Sequence, residues 1–346
     1  VSRLEDVLVI AAEINKKHGN GTVVLASDAN DLVPRVPSGS LGLDLILGGG
    51  WPANQWVEII GDPSSGKTAL ALKTIAANQA RDPDWIAVWI AAEKWVSQYA
   101  EMCGVDLHRV LVVETNIMED AYDAAIRFAE SKEIDCIVID SLPALVPMAE
   151  DEKDMEGSTV GRGALLTGKF FRKVGKATKR SLVEAERPVL GIVINQWRMK
   201  IGAMYGDPRT SPGGVGKDYA YFVKVDVRRD EWIEAGTGAD KRRVGQAIKI
   251  RTTKNKTAPA QQVAYLDFYF DNGGQCSPGH YDTAKEVTSL AVLEHIIERR
   301  GPYYRFDERQ WRGMDALLTA VNDDADLYDR LAVEVKAVVE ARAKVR

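Results

Sequence analysis

The chain has 346 residues, 45% apolar and 27% charged, the balance of an ordinary globular protein with room for one large domain and smaller attachments. A net charge of -5 excludes a whole-molecule positive field, so any nucleic-acid binding must be local. Three widely spaced cysteines, Cys103, Cys136 and Cys276, make no CxxC pair, which argues against a disulfide framework and a zinc site and favours a reducing cytoplasm; no apolar run approaches a membrane span or a signal peptide.

Residues 4–17 place Leu4, Val7, Leu8, Ala11, Ala12 and Ile14 at near-helical spacing before a glycine stop, and predict a short amphipathic helix. Periodicity alone leaves open whether that helix packs on its own core or on a neighbour. Further on, short apolar runs at 56–60, 85–92, 110–113, 136–140 and 188–195 alternate with helical stretches at 67–80, 95–103, 118–131 and 158–185. Strands this apolar, each followed by a helix, predict an α/β fold with a parallel sheet covered on both faces. After a polar, glycine-rich stretch at 198–217, residues 221–229, 245–255 and 261–270 read as strands that extend the sheet antiparallel. The Asn272-Gly273-Gly274 turn and Pro278 mark a boundary, beyond which 285–299 and 313–342 read as mostly helical. The expected division is a helix and linker at 1–35, a main domain at 36–272 and a small C-terminal domain at 273–346.

Residues 61–68, GDPSSGKT, satisfy GxxxxGK[ST] directly after a predicted strand and opening a predicted helix. A phosphate cradle is expected through Gly61, Asp62, Pro63, Ser64, Ser65, Gly66, Lys67, Thr68 and Ala69. Its glycines let the backbone curl, and the helix N-terminus adds its positive end. Lys67 reaches the β and γ phosphates, and the Thr68 hydroxyl suits Mg2+. Asp140 ends the apolar run 136–140, where ligands bind in open α/β sheets, and is expected in the Mg2+ shell. Glu93 follows another strand and reads either as a general base for an attacking water or as a solvated loop carboxylate. Gln196 ends a strand beside the glycine-rich loop, where a neutral amide can sense the γ phosphate.

These residues sit in longer strings: VPSGSLGLDLILGGG at 36–50, GDPSSGKTALAL at 61–72, VIDSLPALVP at 138–147, INQWRMKIGAMYG at 194–206, the Gly213-Gly214 pair and TKNKTAP at 253–259. With them the chain resembles the bacterial RecA family of recombinases, from the N-terminal helix to beyond residue 330. The resemblance implies a RecA-type P-loop NTPase core with a mostly parallel twisted sheet, an N-terminal helix arm and a small C-terminal α/β domain. It implies ATP and Mg2+ as cofactors, a helical filament on single-stranded DNA, and strand exchange with a homologous duplex coupled to DNA-dependent ATP hydrolysis. Glu93, Asp140 and Gln196 match that family's catalytic glutamate, Walker B aspartate and γ-phosphate sensor. Lys254 and Lys256 match a pair that reaches the neighbouring protomer's ATP, and the N-terminal helix matches one that packs on the adjacent protomer.

For DNA, the resemblance implies two loops, at approximately 153–163 and 197–214. The second carries Arg198, Lys200 and Arg209 against Asp207, with Met199 and Ile201 interleaved and Thr210 following. Cations there would neutralise phosphates, apolar side chains could wedge between bases, and Gly213 and Gly214 would let backbone N–H groups approach. Departures from the family pattern mark a divergent member. Ala91 and Ser97 replace acids near the nucleotide, where Tyr99 can still stack on the base. Leu165 stands where an arginine is expected, with Arg162 or Lys169 able to compensate and Arg172 matching a DNA-facing position. Asp218 replaces an interface lysine, and about six residues are inserted near 175–188. Two other readings remain open: a ring-forming RecA-fold motor, and a DNA-coating protein with a decayed ATPase.

Overall fold

The computed structural model describes residues 3–19, 22–28, 33–151, 161–178, 188–199 and 209–344. An eight-stranded sheet is built from β1 (Trp56–Gly61), β2 (Ala87–Ala91), β3 (Val110–Glu114), β4 (Cys136–Asp140), β5 (Leu190–Gln196), β6 (Val223–Ala235), β7 (Arg242–Asn255) and β8 (Val263–Tyr269). The spatial order is β8-β7-β6-β1-β5-β4-β2-β3. The six strands from β6 to β3 run parallel, and β7 pairs antiparallel with β6 and β8. The longer helices and two short ones near the site are α1 (Arg3–His18), α2 (Leu41–Leu47), α3 (Lys67–Gln79), α4 (Ser97–Met102), α5 (Met118–Ser131), α6 (Arg162–Ala177), α7 (Gly216–Ala220), α8 (Thr283–Leu293), α9 (Met314–Asp323) and α10 (Ala325–Lys344).

The sheet is covered on both faces because its central strands carry apolar residues on both sides. Trp89, Cys136 and Val138 pack with Leu70 and Ile75 of α3. The alternate residues Val88, Ile90, Ile137 and Ile139 pack with Ala121 and Ala125 of α5 and Phe170 and Val174 of α6. Each fully buried Leu, Ile or Phe contributes roughly 1.5–3 kcal/mol relative to exposure. A third cluster joins α8, α9 and α10 to Tyr304 and Phe306, and takes in Leu45 of α2.

Three sequence expectations are corrected. β6 is parallel to β1, with Val223 opposite Val57 and Val227 opposite Gly61, where an antiparallel extension was expected. A parallel pairing needs a long connection, and residues 197–222 between β5 and β6 supply the length. The helical reading at 285–299 overruns: Glu298–Arg300, Tyr303–Phe306 and Arg309–Arg312 form a three-stranded antiparallel sheet. The helix expected over 158–185 is α6, and residues 152–160 and 179–187, with most of the insertion, lie outside the described residues. No residue of α1 is buried, and Leu4, Val7, Leu8 and Ile10 are exposed, so this helix does not pack on its own core. Among the described residues no helix is long and apolar enough to cross a membrane.

The string at 36–50 ties this core to the C-terminal helices. Ser40 caps α2 by accepting from Leu43 N, and Gly48 ends it in a left-handed conformation at φ 83°. The buried Glu286 of α8 accepts from Ser40 Oγ and, at 3.0 Å, from Gly42 N. Asp44 accepts from Ser38 N at 2.8 Å, and burial, with Glu286 nearby, pushes its carboxyl up to about 7. The folded chain therefore holds a proton that the unfolded chain releases near the ordinary value of 3.8. Stability is expected to fall as pH rises from about 4 to about 7, at up to about 1.4 kcal/mol per pH unit for this group. Urea unfolding at pH 5 and pH 7 checks this: Asp44→Asn should flatten the slope, and an unchanged slope contradicts the assignment.

Candidate functional site

The carboxyl ends of the parallel strands bring the sequence-predicted chemistry to one edge. In register, Gly61 of β1 lies beside Gln196 of β5, and Ala91 of β2 lies beside Asp140 of β4. The Asp140 carbonyl accepts from Ala92 N at 2.9 Å and Glu93 N at 3.1 Å, which fixes Glu93 next to Asp140. Ser141 Oγ donates to Glu93 Oε1. Thr68 Oγ1 donates to Asp140 Oδ2 at 3.1 Å.

The phosphate loop needs its glycines for two different reasons. Gly66 adopts φ 98°, and a Cβ there would fall 2.6 Å from Ile248 Cδ1. Gly61 is required by close approach, because its Cβ would meet the Val227 carbonyl of β6 at 2.1 Å. Lys67 is buried, with Nζ donating to the Asp62 carbonyl at 2.6 Å. Burial lowers its pKa, and the charges of Asp140, Asp62 and Glu93 oppose that shift. Asp140 is pushed up to about 6, chiefly by burial and then by Glu93, against the Thr68 hydrogen bond and Lys67. Ser65 Oγ is buried without a hydrogen-bond partner among the described residues.

A cavity of about 450 Å³ opens on residues 64–69 and is walled by Tyr99, Trp232, Gln246, Phe268 and Phe270. Tyr99 was expected here from the sequence; the other four were not. Trp232 is held with the Arg229 guanidinium 4.0 Å and the Arg243 guanidinium 4.5 Å from its ring centre, and Phe270 edge-on at 6.2 Å. The signal that could have found this wall is the aromatic content of 261–270 with Trp232 on the preceding hairpin, but only strand pairing shows which of those rings face the phosphate loop.

The residues expected at DNA divide into two groups. On α6, Thr167, Phe170 and Val174 are buried, whereas Arg162, Leu165, Lys169 and Arg172 are exposed along one stripe of the helix. Beyond Gln196, Arg198 and Met199 pair with Thr210 and Arg209 in a two-stranded ribbon, and Arg198 and Met199 point outward into solvent. Arg209 instead lies 3.6 Å from the buried Asp226 and over the Trp197 ring. Lys200 and Ile201 lie outside the described residues, as does most of 153–163. Gly213 and Gly214 adopt φ 96° and 73°, and a Cβ on Gly214 would fall 2.8 Å from Ala164 Cβ of α6. Lys254 Nζ donates to the Asp218 carbonyl at 2.5 Å and Lys256 Nζ to the Tyr219 carbonyl at 3.5 Å, and neither lines the cavity at residues 64–69 of its own chain.

A GxxxxGK[ST] loop between a parallel strand and its helix, with an acid at the end of β4 and β5 lying between the two strands, defines a P-loop nucleotide-binding protein. A family model described as the RecA N-terminal domain matches residues 5–275, and the chain belongs to the RecA family. Protein RecA of Lactococcus lactis subsp. cremoris strain MG1363 is 35% identical over 338 residues, covering 96% of this chain and 83% of its own. That of Frankia alni is 36% identical over 329 residues, covering 94% and 90%, and that of Lactobacillus delbrueckii subsp. bulgaricus is 33% identical over 328 residues, covering 94% and 93%.

Proposed function

We propose that this chain is an ATP-dependent homologous recombination and repair protein, which assembles on single-stranded DNA and exchanges it with a homologous duplex while hydrolysing ATP. The observation that carries the reading is one sheet edge at which Lys67, Thr68, Glu93, Asp140 and Gln196 converge and from which the Arg198 ribbon departs. Nucleotide chemistry and the basic segment are thus separated by a single residue, Trp197. The three relatives described above are named RecA, so a ring-forming motor is not favoured.

In this reading the loop backbone and Lys67 hold the phosphates, and Glu93, placed by the Asp140 carbonyl, takes the proton from the attacking water. Mg2+ fits the site: a hydroxyl and a carboxylate 3.1 Å apart are hard oxygen donors, and burial with Glu93 nearby raises the Asp140 carboxyl more than Lys67 and the Thr68 hydrogen bond lower it, so a further cation would favour its ionised form. When bound, the ion would neutralise charge developing on the phosphates. Lys254 and Lys256 complete a neighbour's site, and the exposed apolar side chains of α1 find cover on that neighbour. A head-to-tail interface of this kind repeats without closing and gives a filament. Arg162, Lys169 and Arg172 of α6, with Arg198, face the DNA backbone, with Met199 between bases, and the resemblance gives Lys200 and Ile201 the same roles.

Turnover of ATP measured with and without single-stranded DNA tests the reading, which requires a rise on adding DNA; equal rates contradict it. The aromatic wall makes a further prediction. Stacking contributes about 1–3 kcal/mol per base, so Trp232→Ala should weaken ATP binding on the order of tenfold. Inorganic triphosphate, which has no base, should compete as well against the variant as against the parent. Equal losses for both ligands would place Trp232 outside the base site.

A further inference from the structure

A buried charge cluster lies between the phosphate loop and the return leg of the basic segment. Lys217 of α7 is fully buried, and among the described residues Lys67 is the only other buried lysine. Its Nζ lies 3.1 Å from Glu58 Oε1, donates to Ser211 Oγ at 2.7 Å and lies 3.2 Å from Asp218 Oδ1. Glu58, equally buried, stands on β1 three residues before Gly61, and its second oxygen pairs with Lys224 Nζ at 3.0 Å. Asn195 Nδ2 donates to Glu58 Oε1 at 2.7 Å and to the Pro212 carbonyl at 3.3 Å, while its Oδ1 accepts from Gln196 N at 2.9 Å. Gly213 is packed against the same lysine: a Cβ there would fall 2.8 Å from Lys217 Cδ and 2.9 Å from Leu142, two residues beyond Asp140.

Stability does not account for this arrangement. Replacing a buried ion pair by apolar side chains of similar volume is often neutral or favourable, so apolar residues at 58 and 217 together would fill the space at least as well. What the ammonium adds is direction. It holds Ser211 at one fixed place relative to Glu58, and Glu58 fixes the amide that orients the backbone of Gln196.

We propose that Lys217 is a positioning residue that carries the DNA signal to the nucleotide site. It clamps Ser211, next to the ribbon of Arg198–Met199 and Arg209–Thr210, to Glu58 and through Glu58 to Asn195, so that a strand bound at that ribbon resets Gln196. This rests on the DNA-dependent ATPase reading above.

Steady-state turnover with and without single-stranded DNA separates this role from plain structural support. Lys217→Met keeps the side chain's length and removes its charge. Its DNA-stimulated kcat should fall about tenfold or more, with KM for ATP and the DNA-free kcat within about twofold of the parent. Ser211→Ala leaves the Glu58 pair intact and should lower DNA-stimulated kcat about threefold without moving the thermal midpoint. The double variant Glu58→Gln with Lys217→Met balances the buried charge, so it should recover stability lost in Lys217→Met without recovering stimulation. Full stimulation in Ser211→Ala, full stimulation in folded Lys217→Met, or its return in the double variant overturns the proposal. A parent protein whose turnover ignores DNA fails the underlying reading instead, before any variant is compared.

Discussion

Lys67→Ala is expected to lower ATP turnover by about a thousandfold, with or without DNA, because it removes the phosphate loop's own cation, placed to meet charge developing on the transferred phosphoryl group. This ammonium donates to the Asp62 carbonyl and faces the charges of Asp140, Asp62 and Glu93. Alanine leaves those three acids without their counter-charge, so the site should reject phosphates as well as fail to activate them. Steady-state turnover and binding of a slowly hydrolysed ATP analogue report both effects. A loss of less than about tenfold would mean that Lys67 is not the phosphate-binding cation.

The double substitution Lys254→Ala with Lys256→Ala should lower DNA-stimulated turnover about a hundredfold or more, the scale of a cation supplied in trans, while leaving the protomer's own ATP affinity intact. Lys254 lies at the end of β7 and Lys256 just beyond it, tied to carbonyls of residues 218 and 219 of α7, and neither belongs to the cavity of its own chain. A mixing experiment distinguishes a trans role from a local one. In a random equal mixture with Lys67→Ala protomers, about a quarter of the head-to-tail interfaces join an intact phosphate loop to intact lysines. Turnover should therefore return to about a quarter of the parent rate. No recovery on mixing would place the lysines' effect within their own protomer.

Much of this was legible in the sequence because the relevant signals are local. An apolar run followed by GxxxxGK[ST] specifies strand, loop and helix within a few residues, and Cys136–Asp140 matches the expected strand residue for residue. The direction of β6 was not legible, since parallel and antiparallel strands of the same composition read alike and the choice depends on where a long connection lands. The three-stranded sheet at 298–312 was hidden by charged residues such as Arg299, Arg300 and Arg309, which break the alternation that marks a strand. Trp232 and Phe270 come together only through pairing of distant segments. The role of Lys217 was not legible, because burial of a charge is a property of its partners, Glu58 and Ser211, 159 and 6 residues away. The meaning of Gly213 also widened: its φ and its contact with Lys217 give it a packing role before any DNA is considered.

Strand exchange is the most direct test of the central claim. A circular single strand coated by this chain in the presence of ATP and Mg2+ is mixed with a linear duplex that is either homologous or unrelated in sequence, and joint molecules are counted. The account predicts joint molecules with the homologous duplex only, dependent on ATP and abolished by Lys67→Ala. Coating without exchange, or exchange that ignores homology, would contradict it.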